Sequence, residues 1–311
     1  MRVRLGLYRN RYKVVPGLYG AGNPSPESPV LVTANYKLSF DSLRRELGNI
    51  DAWILVVDTR GINVWCAASK KTFSTAEVVW QVKKTHLAEI VSHRRLLLPQ
   101  LAATGVSAHK LAKECGFKGI FGPIRAADLK EFLKKGPDET MRSVTFTILE
   151  RLVLIPVEIS LIWKMFAVIS LSALIVSGIG PNYYSLKMAG QRGLAVIEAI
   201  ILAVLTGAAA VPILLPWLPG RQFWIKGIIS GALGWLAYSI GGNWSHSPME
   251  STALFFWITA LSSYMAMNFT GATPFTSLSG VKYEMRRGLF FQCAGTLLAI
   301  ILWIISPFLA Q

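Results

Sequence analysis

Charged residues are scarce in this chain: they make up 16% of its 311 residues, whereas hydrophobic residues make up 52%. About a quarter of the residues of an ordinary soluble domain are charged, so this composition argues against a wholly soluble protein and indicates membrane-crossing segments. The scarcity is uneven. Residues 1–145 hold 23 of the 32 Lys and Arg and 12 of the 17 Asp and Glu, which gives this part a net charge of +11.

Cysteine is also scarce, and Cys66, Cys115 and Cys293 stand far apart. Without a CxxC pair the chain contains no zinc knuckle and cannot hold an iron–sulfur cluster by itself, and a reducing compartment fits best. No nucleic-acid-binding motif is visible either, so we expect no nucleic-acid partner. The positive charge instead suits an anionic ligand or the anionic inner leaflet of a membrane.

The N-terminal lead, residues 1–30, is basic and then rich in Pro, Gly and Ser. It lacks the apolar core of a signal peptide, so we expect an irregular lead and a cytoplasmic domain at residues 31–145.

Strand and helix patterns alternate from residue 51 to residue 135. The apolar run Trp53–Val57 predicts a strand buried on both faces of a parallel sheet. Two further strands are predicted at 94–99 and 117–121, and helices at 39–47, 74–91, 106–115 and 125–135. The alternation indicates an α/β domain with a small open sheet of Rossmann or flavodoxin type. In such sheets the ligand lies beyond the carboxyl ends of the strands, which here are followed by loops 58–75, 99–106 and 122–125.

Five long apolar stretches follow and predict an all-α transmembrane domain at residues 146–311. They cover residues 152–180, 194–218, 223–241, 252–270 and 288–308, each near or above the length that a membrane-spanning helix needs. Basic residues favour the loops on the side of the N-terminal domain, which predicts a multi-pass protein of the inner (cytoplasmic) membrane. Glu158 and Lys164 in the first stretch fit a partly interfacial helix better than a membrane-buried ion pair. So few ionisable residues in the spans favour an anchor over a transporter or proton pump.

Cys66 is the most informative single residue. A lone cysteine between Trp65 and Ala67 is most often a small buried hydrophobe. This one, however, falls in a loop at the ligand edge of the predicted sheet, before a helix start and close to Lys70 and Lys71, all of which favour a thiolate. It could act as a nucleophile or as a soft metal ligand. Partners for a nucleophile could come from His86, His93 or His109 through the fold.

Four segments together carry a resemblance to a known family. They are N-V-W-C-A-A (63–68) with Lys70, Thr72, Phe73 and Thr75; L-L-L-P-Q-L-A-A-T-G-V-S-A-H (96–109); G-F-K-G-I-F-G-P-I-R-A-A-D-L (116–129); and N-F-T-G-A-T-P-F-T-S-L-S-G-V (268–281). The chain resembles the membrane-anchored corrinoid protein of microbial mercury methylation. Its soluble domain is similar to the corrinoid domain of the corrinoid iron–sulfur protein of the acetyl-CoA pathway.

The resemblance implies a corrinoid-dependent methyltransferase that delivers a methyl group from cobalt to Hg(II). A cobalamin-type corrinoid would be held base-off, with the Cys66 thiolate as lower axial ligand, because a thiolate is a soft, strong donor. Implied partners are the lipid bilayer, a ferredoxin-like protein with [4Fe-4S] clusters as electron donor, and a methylated pterin or a methyltransferase as methyl donor. The implied cofactor-binding residues are Asn63, Val64, Trp65, Cys66, Ala67, Ala68, Ser69, Lys70, Thr72, Phe73, Thr75, Gly105, Val106, Gly122 and Pro123.

The chain departs from the family where Ser69, Lys71 and Ser74 replace glycines. Glycine permits unusual backbone angles and close approach to a ligand, so we expect these replacements to push the corrin away or to reshape the cap below it. Two alternatives stay open: a divergent corrinoid methyl carrier with another acceptor, and a non-enzymatic, membrane-anchored cofactor sensor. The polar loop at 268–277 could dock the soluble domain or simply join two helices.

Overall fold

The computed structural model describes residues 12–241, 247–272 and 278–309. They form two compact units, one ending at Thr145 and the other beginning at Phe146. The first is a mixed α/β domain. The second is helical apart from a hairpin of two-residue strands at Ile179–Gly180 and Tyr183–Tyr184. An α/β domain followed by a helical region is therefore the architecture of the chain, as the sequence predicts.

The α/β domain is built on a five-stranded sheet with the order β1-β3-β2-β4-β5. The strands are β1 (Gly17–Ala21), β2 (Val30–Ala34), β3 (Ala52–Val57), β4 (Arg95–Leu98) and β5 (Lys118–Phe121). All pairs are parallel except β1 with β3. Because β3 lies on one side of β2 and β4 on the other, the direction of winding reverses between β2 and β4.

Two of the five strands escape prediction. The lead predicted to be irregular contains β1, whose sequence G-L-Y-G-A has two glycines and little strand propensity. Pairing along the whole length of β3 makes it a strand, so the prediction of an irregular lead is wrong at this point. The second, β2, is buried throughout and lies at the centre of the sheet. The three strands that the sequence predicts are confirmed to within one residue.

Helices cover both faces of the sheet. They are α1 (Lys37–Glu46), α2 (Val64–Ser69), α3 (Thr75–Lys84), α4 (Leu87–Ile90), α5 (Ala108–Cys115) and α6 (Leu129–Lys135). The alternation of β2 sends Val30 and Val32 into the apolar core beside α2, α3 and α5, and Leu31 into the core that contains Phe40 of α1. The predicted helix at 74–91 is interrupted at His86, whose φ of 50° no helix accommodates.

The second unit contains the longest helices. They are α7 (Ile148–Leu152), α8 (Ile155–Ser177), α9 (Leu186–Val204), α10 (Val211–Ile213), α11 (Phe223–Gly241), α12 (Pro248–Asn268) and α13 (Leu278–Leu309), with a π-helical turn at Leu205–Ala210 joining α9 to α10. Four stretches of helix in the described residues are long and apolar enough to cross a membrane: Ile148–Ser177, Leu186–Ile213, Phe223–Gly241 and Gly280–Leu309.

The fifth predicted span, 252–270, falls on α12, which does not reach that apolar standard. Its polar residues face neighbouring helices: the Ser262 hydroxyl donates to Gly227 O at 2.8 Å, and the Ser263 hydroxyl to Trp224 O at 2.9 Å. A Cβ on Gly227 would lie 2.6 Å from Ser263 Cα, so the glycine lets α11 approach α12 closely. The polar residues that bond to a neighbouring helix lower the hydropathy of α12, and the described residues therefore show four apolar spans and not clearly five.

Candidate functional site

The carboxyl edge of the sheet brings together the ends of β2 and β4, on either side of the point where the winding reverses. In open parallel sheets this crevice is where ligands bind. The short helix α2 packs against the end of β2 and against the 3₁₀ turn Gln100–Ala102 that follows β4. Cys66 is the third residue of α2, so it belongs to the element that covers the crevice.

Asn35, the residue after β2, organises the loop that leads to Cys66. It is 3% exposed, and its Oδ1 accepts hydrogen bonds from the backbone of Thr59 at 3.0 Å and of Gly61 at 2.9 Å, as well as from the Thr59 hydroxyl at 2.8 Å. Its Nδ2 donates to Asp58 Oδ1 at 2.8 Å. Sequence analysis did not single out Asn35, because its four hydrogen bonds go to three residues that lie 23 or more positions further along the chain.

Asn63 holds the start of the helix that bears Cys66. Its side-chain Oδ1 accepts from Cys66 N at 2.9 Å, which makes Asn63 the N-cap of α2. At the other end Ala67 O accepts from Thr72 N at 2.9 Å and from Phe73 N at 3.1 Å, and this closes the turn after the helix. The six-residue helix is thus fixed at both ends by local bonds, although it is far too short to be stable alone.

Gly105 seats this segment against the loop after β4. A Cβ at position 105 would lie 2.2 Å from Phe73 O and 3.0 Å from Ala68 Cα, distances that no side chain tolerates. Gly122 is also closely packed, since a Cβ there would lie 3.2 Å from the Leu97 side chain. Both glycines were predicted to contact a cofactor, and the structure shows that each also lies where protein segments pack closely together.

The predicted cofactor-binding residues separate into two groups by burial. Seven are buried and pack inside the domain: Val64, Ala67, Ala68, Phe73, Val106, Gly122 and Pro123. Eight keep accessible surface: Asn63, Trp65, Cys66, Ser69, Lys70, Thr72, Thr75 and Gly105. Only the second group can touch a ligand without a rearrangement of the core. Of that group, Thr75 also serves the fold, because its hydroxyl accepts from Ser107 N at 2.9 Å.

The three positions at which the chain departs from the glycine pattern are not equivalent. Ser69 ends α2 in helical geometry, and Ser74 is the N-cap of α3 with its hydroxyl accepting from Glu77 N at 3.3 Å. Neither position needs glycine. Lys71 alone adopts a left-handed conformation, with φ of 61°, in which glycine is favoured. The described backbone therefore accommodates all three residues, with strain at one.

An unsatisfied acceptor lies in the loop after β4. Gln100 Oε1 is buried and has no hydrogen-bond partner in the described residues. A buried acceptor without a partner costs free energy, so a donor brought by a ligand would be stabilised there. Gln100 is not among the residues that the sequence predicts at this edge, because the burial of its side-chain oxygen arises only once the loop is folded.

One carboxyl group near the crevice has a shifted pKa. Burial raises the pKa of Glu77, and the neighbouring Asp58 carboxylate raises it further, although a hydrogen bond from Asp58 N at 3.3 Å opposes the shift. Glu77 thus ties α3 to the loop after β3.

Cys115 and His93 lie apart from this edge. Cys115 donates through its thiol to Leu111 O at 3.2 Å, and burial raises the pKa of that thiol, which makes it a poor nucleophile. His93 contacts Ser28 O at 3.0 Å, at the amino ends of the strands, opposite the crevice. In the described ranges no three His, Cys, Asp or Glu side chains converge to form a metal site.

One predicted feature, the polar loop between α12 and α13, lies partly outside the described residues. Of the loop 268–277, residues 273–277 are not among the described residues.

Comparison with known proteins concerns mainly the first domain. Residues 1–133 match the family model described as CO dehydrogenase/acetyl-CoA synthase delta subunit. The chain is 32% identical over 138 residues to the acetyl-CoA decarbonylase/synthase complex subunit gamma of Archaeoglobus fulgidus, a match that covers 43% of this chain and 29% of the relative. The corresponding subunit of Methanopyrus kandleri is 33% identical over 129 residues, covering 41% of this chain and 28% of the relative.

The chain therefore spans less than a third of the length of these relatives. The family match ends before the first long helix, so it concerns the domain that carries Cys66. By these matches the α/β domain is related to subunits of the acetyl-CoA decarbonylase/synthase complex.

Proposed function

We propose that this chain is a membrane-tethered corrinoid methyl carrier in which Cys66 is the lower axial ligand of cobalt. The observation that carries the proposal is the position of α2 across the reversal between β2 and β4, in a domain related to acetyl-CoA decarbonylase/synthase subunits. The resemblance of the 63–68 segment to the corrinoid protein of mercury methylation supplies the cofactor and the role of the cysteine.

The residues at the crevice fit such a group. A metal at Cys66 would have one protein donor, because no further set of ligands converges in the described residues, so a macrocycle would have to supply the rest. Corrins carry amide side chains that can donate hydrogen bonds. The unpaired Gln100 Oε1 provides an acceptor at the crevice for one of them.

The role of the chain is to hold the corrinoid and to orient it. When bound, the corrinoid would supply a transferable methyl group. Asn63 fixes the first turn of α2, and the close contact of Gly105 with the Phe73 carbonyl fixes its seat, so the Cys66 sulfur would be held with little freedom. Trp65, Lys70 and Thr72, which keep accessible surface, would border the ring or its tail.

Hg(II) is the acceptor that the motif implies, and the proposed product is methylmercury. Electrons would come from a ferredoxin-like protein with [4Fe-4S] clusters, and the methyl group from a methylated pterin or a methyltransferase. The four long apolar helices favour anchorage in the inner membrane, with the α/β domain at residues 31–145 on the cytoplasmic side.

The decisive experiment compares three versions of the full-length protein reconstituted with cobalamin: wild type, Cys66→Ala and Cys115→Ala. Ultraviolet–visible spectra should show cobalt bands in the wild type that shift in Cys66→Ala and remain in Cys115→Ala, because only the first variant removes the donor. Methyl transfer to Hg(II) would then be followed directly as methylmercury formed in a single turnover.

Three outcomes bear on the proposal. Absence of cobalamin binding, or identical spectra for wild type and Cys66→Ala, would refute thiolate ligation and favour the cofactor sensor. Ligation without methylmercury would leave a corrinoid carrier with a different acceptor.

A further inference from the structure

A cleft of about 690 Å³ lies where the first turn of α11 meets α13. Its apolar part is aromatic: the rings of Trp224 and Phe291 are stacked with centroids 5.3 Å apart and planes 8° apart. Phe290 packs edge-on against Phe291 at 5.6 Å and is 69% exposed. Large exposed aromatic side chains on a helix that is apolar enough to cross a membrane indicate contact with lipid.

The polar part of the cleft is cationic. Arg286 and Arg287 line it, both are exposed, and the Arg287 guanidinium carbon lies 4.4 Å from the centre of the Tyr283 ring. The stacked ring limits the freedom of Arg287 and leaves its N–H groups available to an anion.

No acidic side chain lines this cleft in the described residues. Glu284, two positions before Arg286, is 3% exposed, and its Oε2 accepts from Phe223 N at 2.8 Å at the start of α11. Its charge is therefore engaged by a helix N-terminus, away from the solvent that the arginines face. The exposed charge of the cleft is positive.

We propose that this cleft binds an anionic phospholipid, with Arg286 and Arg287 on the headgroup phosphate and an acyl chain along Phe290 and Phe291. Each arginine can bind phosphate oxygens through two parallel hydrogen bonds. An apolar surface next to the two arginines selects a lipid over a free anion. This end of the helical region also carries Arg221 and Lys282, the bias that predicts the cytoplasmic leaflet, where anionic lipids are concentrated. The site rests on the membrane placement proposed above and is independent of the corrinoid.

Native mass spectrometry of the full-length protein released from detergent tests the site. The probes are dioleoylphosphatidylglycerol, dioleoylphosphatidylcholine and inorganic phosphate. The wild type should retain the anionic lipid in preference to the zwitterionic one, and Arg286→Gln/Arg287→Gln should lower that retention at least fivefold. Lys187→Gln, which removes an exposed cation at the start of α9, should retain the lipid as the wild type does.

Equal retention of the two lipids by the wild type would overturn the proposal, as would full retention by the double arginine variant. Displacement of the lipid by inorganic phosphate would assign the cleft to a free anion and also overturn it. Should the double variant misfold, the wild type still decides: raising the salt concentration should release phosphatidylglycerol and leave phosphatidylcholine unaffected. Carbonate extraction of membranes tests insertion separately, and the cobalamin spectrum tests the other domain.

Discussion

The two units of this chain treat polar groups in opposite ways. In the α/β domain the sheet is apolar on both faces, and the polar contacts around Asn35 gather at the carboxyl edge. In the helical region charges are buried between helices: Arg192 is 8% exposed and forms an ion pair with Glu250 at 2.6 Å, while its Nη1 donates to Ser177 O at 3.1 Å. The predicted spans 152–180 and 194–218 place Arg192 in the loop between them, but it lies within α9.

Other buried cations of the helical region are also bonded. Arg151 donates to Pro212 O and to Ile213 O, both at 3.0 Å, and Lys226 donates to Leu215 O at 3.1 Å. These carbonyls lie at and beyond the end of α10, where cations are favourable. Charges that are saturated by protein partners hold helices together and are poorly placed to pass a substrate, whereas the α/β edge keeps an accessible cysteine and an unpaired acceptor. The contrast supports the proposal that the chemistry belongs to the first unit.

The largest effect should come from breaking the buried ion pair. Arg192→Ala should destabilise the helical region by about 3–5 kcal/mol, because it leaves the Glu250 side chain, which is only 13% exposed, without its cation. Circular dichroism during unfolding in detergent measures this. Lys187→Ala, on the same helix but exposed, should change little. If Arg192→Ala is as stable as the wild type, the ion pair does not stabilise the helical region, and the proposed difference between the two units is wrong.

A smaller effect is expected at the edge of the α/β domain. Gly105→Ala should cost about 1–3 kcal/mol, because the new Cβ would meet the Phe73 carbonyl, and should weaken cobalamin binding by displacing α2. Gly48→Ala is the matched control, since the nearest atom to a Cβ there is 3.9 Å away. Fluorescence-monitored denaturation and cobalamin titration give the two readouts. If both alanines behave alike, the close packing at Gly105 does not seat the Cys66 helix.

The smallest effect should be a gain. Lys71→Gly should stabilise the α/β domain by up to about 1 kcal/mol, because relief of left-handed strain exceeds the added entropy of the unfolded chain. Lys70→Gly should instead cost about 0.5–1 kcal/mol, since the φ of −88° at Lys70 gives glycine no advantage. Denaturant midpoints of the two variants should therefore move in opposite directions, and movement in the same direction would show that strain at Lys71 is not the cause.

Much of the α/β fold is visible in the sequence because its signals are local. The apolar run that forms β3 and the start of α3 after Ser74 can be recognised within a few residues. The edge strand β1 cannot, because its glycines become a strand only through pairing with β3 more than 30 positions later. The predicted count of five apolar spans differs from the four in the described residues because α12 carries polar residues such as Ser262 and Ser263, whose partners lie on a neighbouring helix.

The residues of the candidate site also divide into those that the sequence reveals and those that only the fold reveals. Cys66 and its neighbours stand out as a motif, whereas the N-cap that Asn63 forms becomes visible only in the structure. Asn35 and Gln100 do not stand out, since the first acts through residues 23–26 positions away and the second through the burial of one oxygen atom. Position in the folded loop, rather than residue type, defines them.

The segment between β3 and α3 is held by hydrogen bonds at two points outside α2. At one end the Thr59 hydroxyl, fully buried, bonds to Asn35, and at the other Thr75 bonds to the backbone of Ser107. Neither hydrogen bond involves the sulfur of Cys66. The stretch between them is thus held by a frame that does not depend on residue 66, so we expect that Cys66 can be exchanged, for example for histidine, while the sheet and the two anchoring hydrogen bonds stay the same.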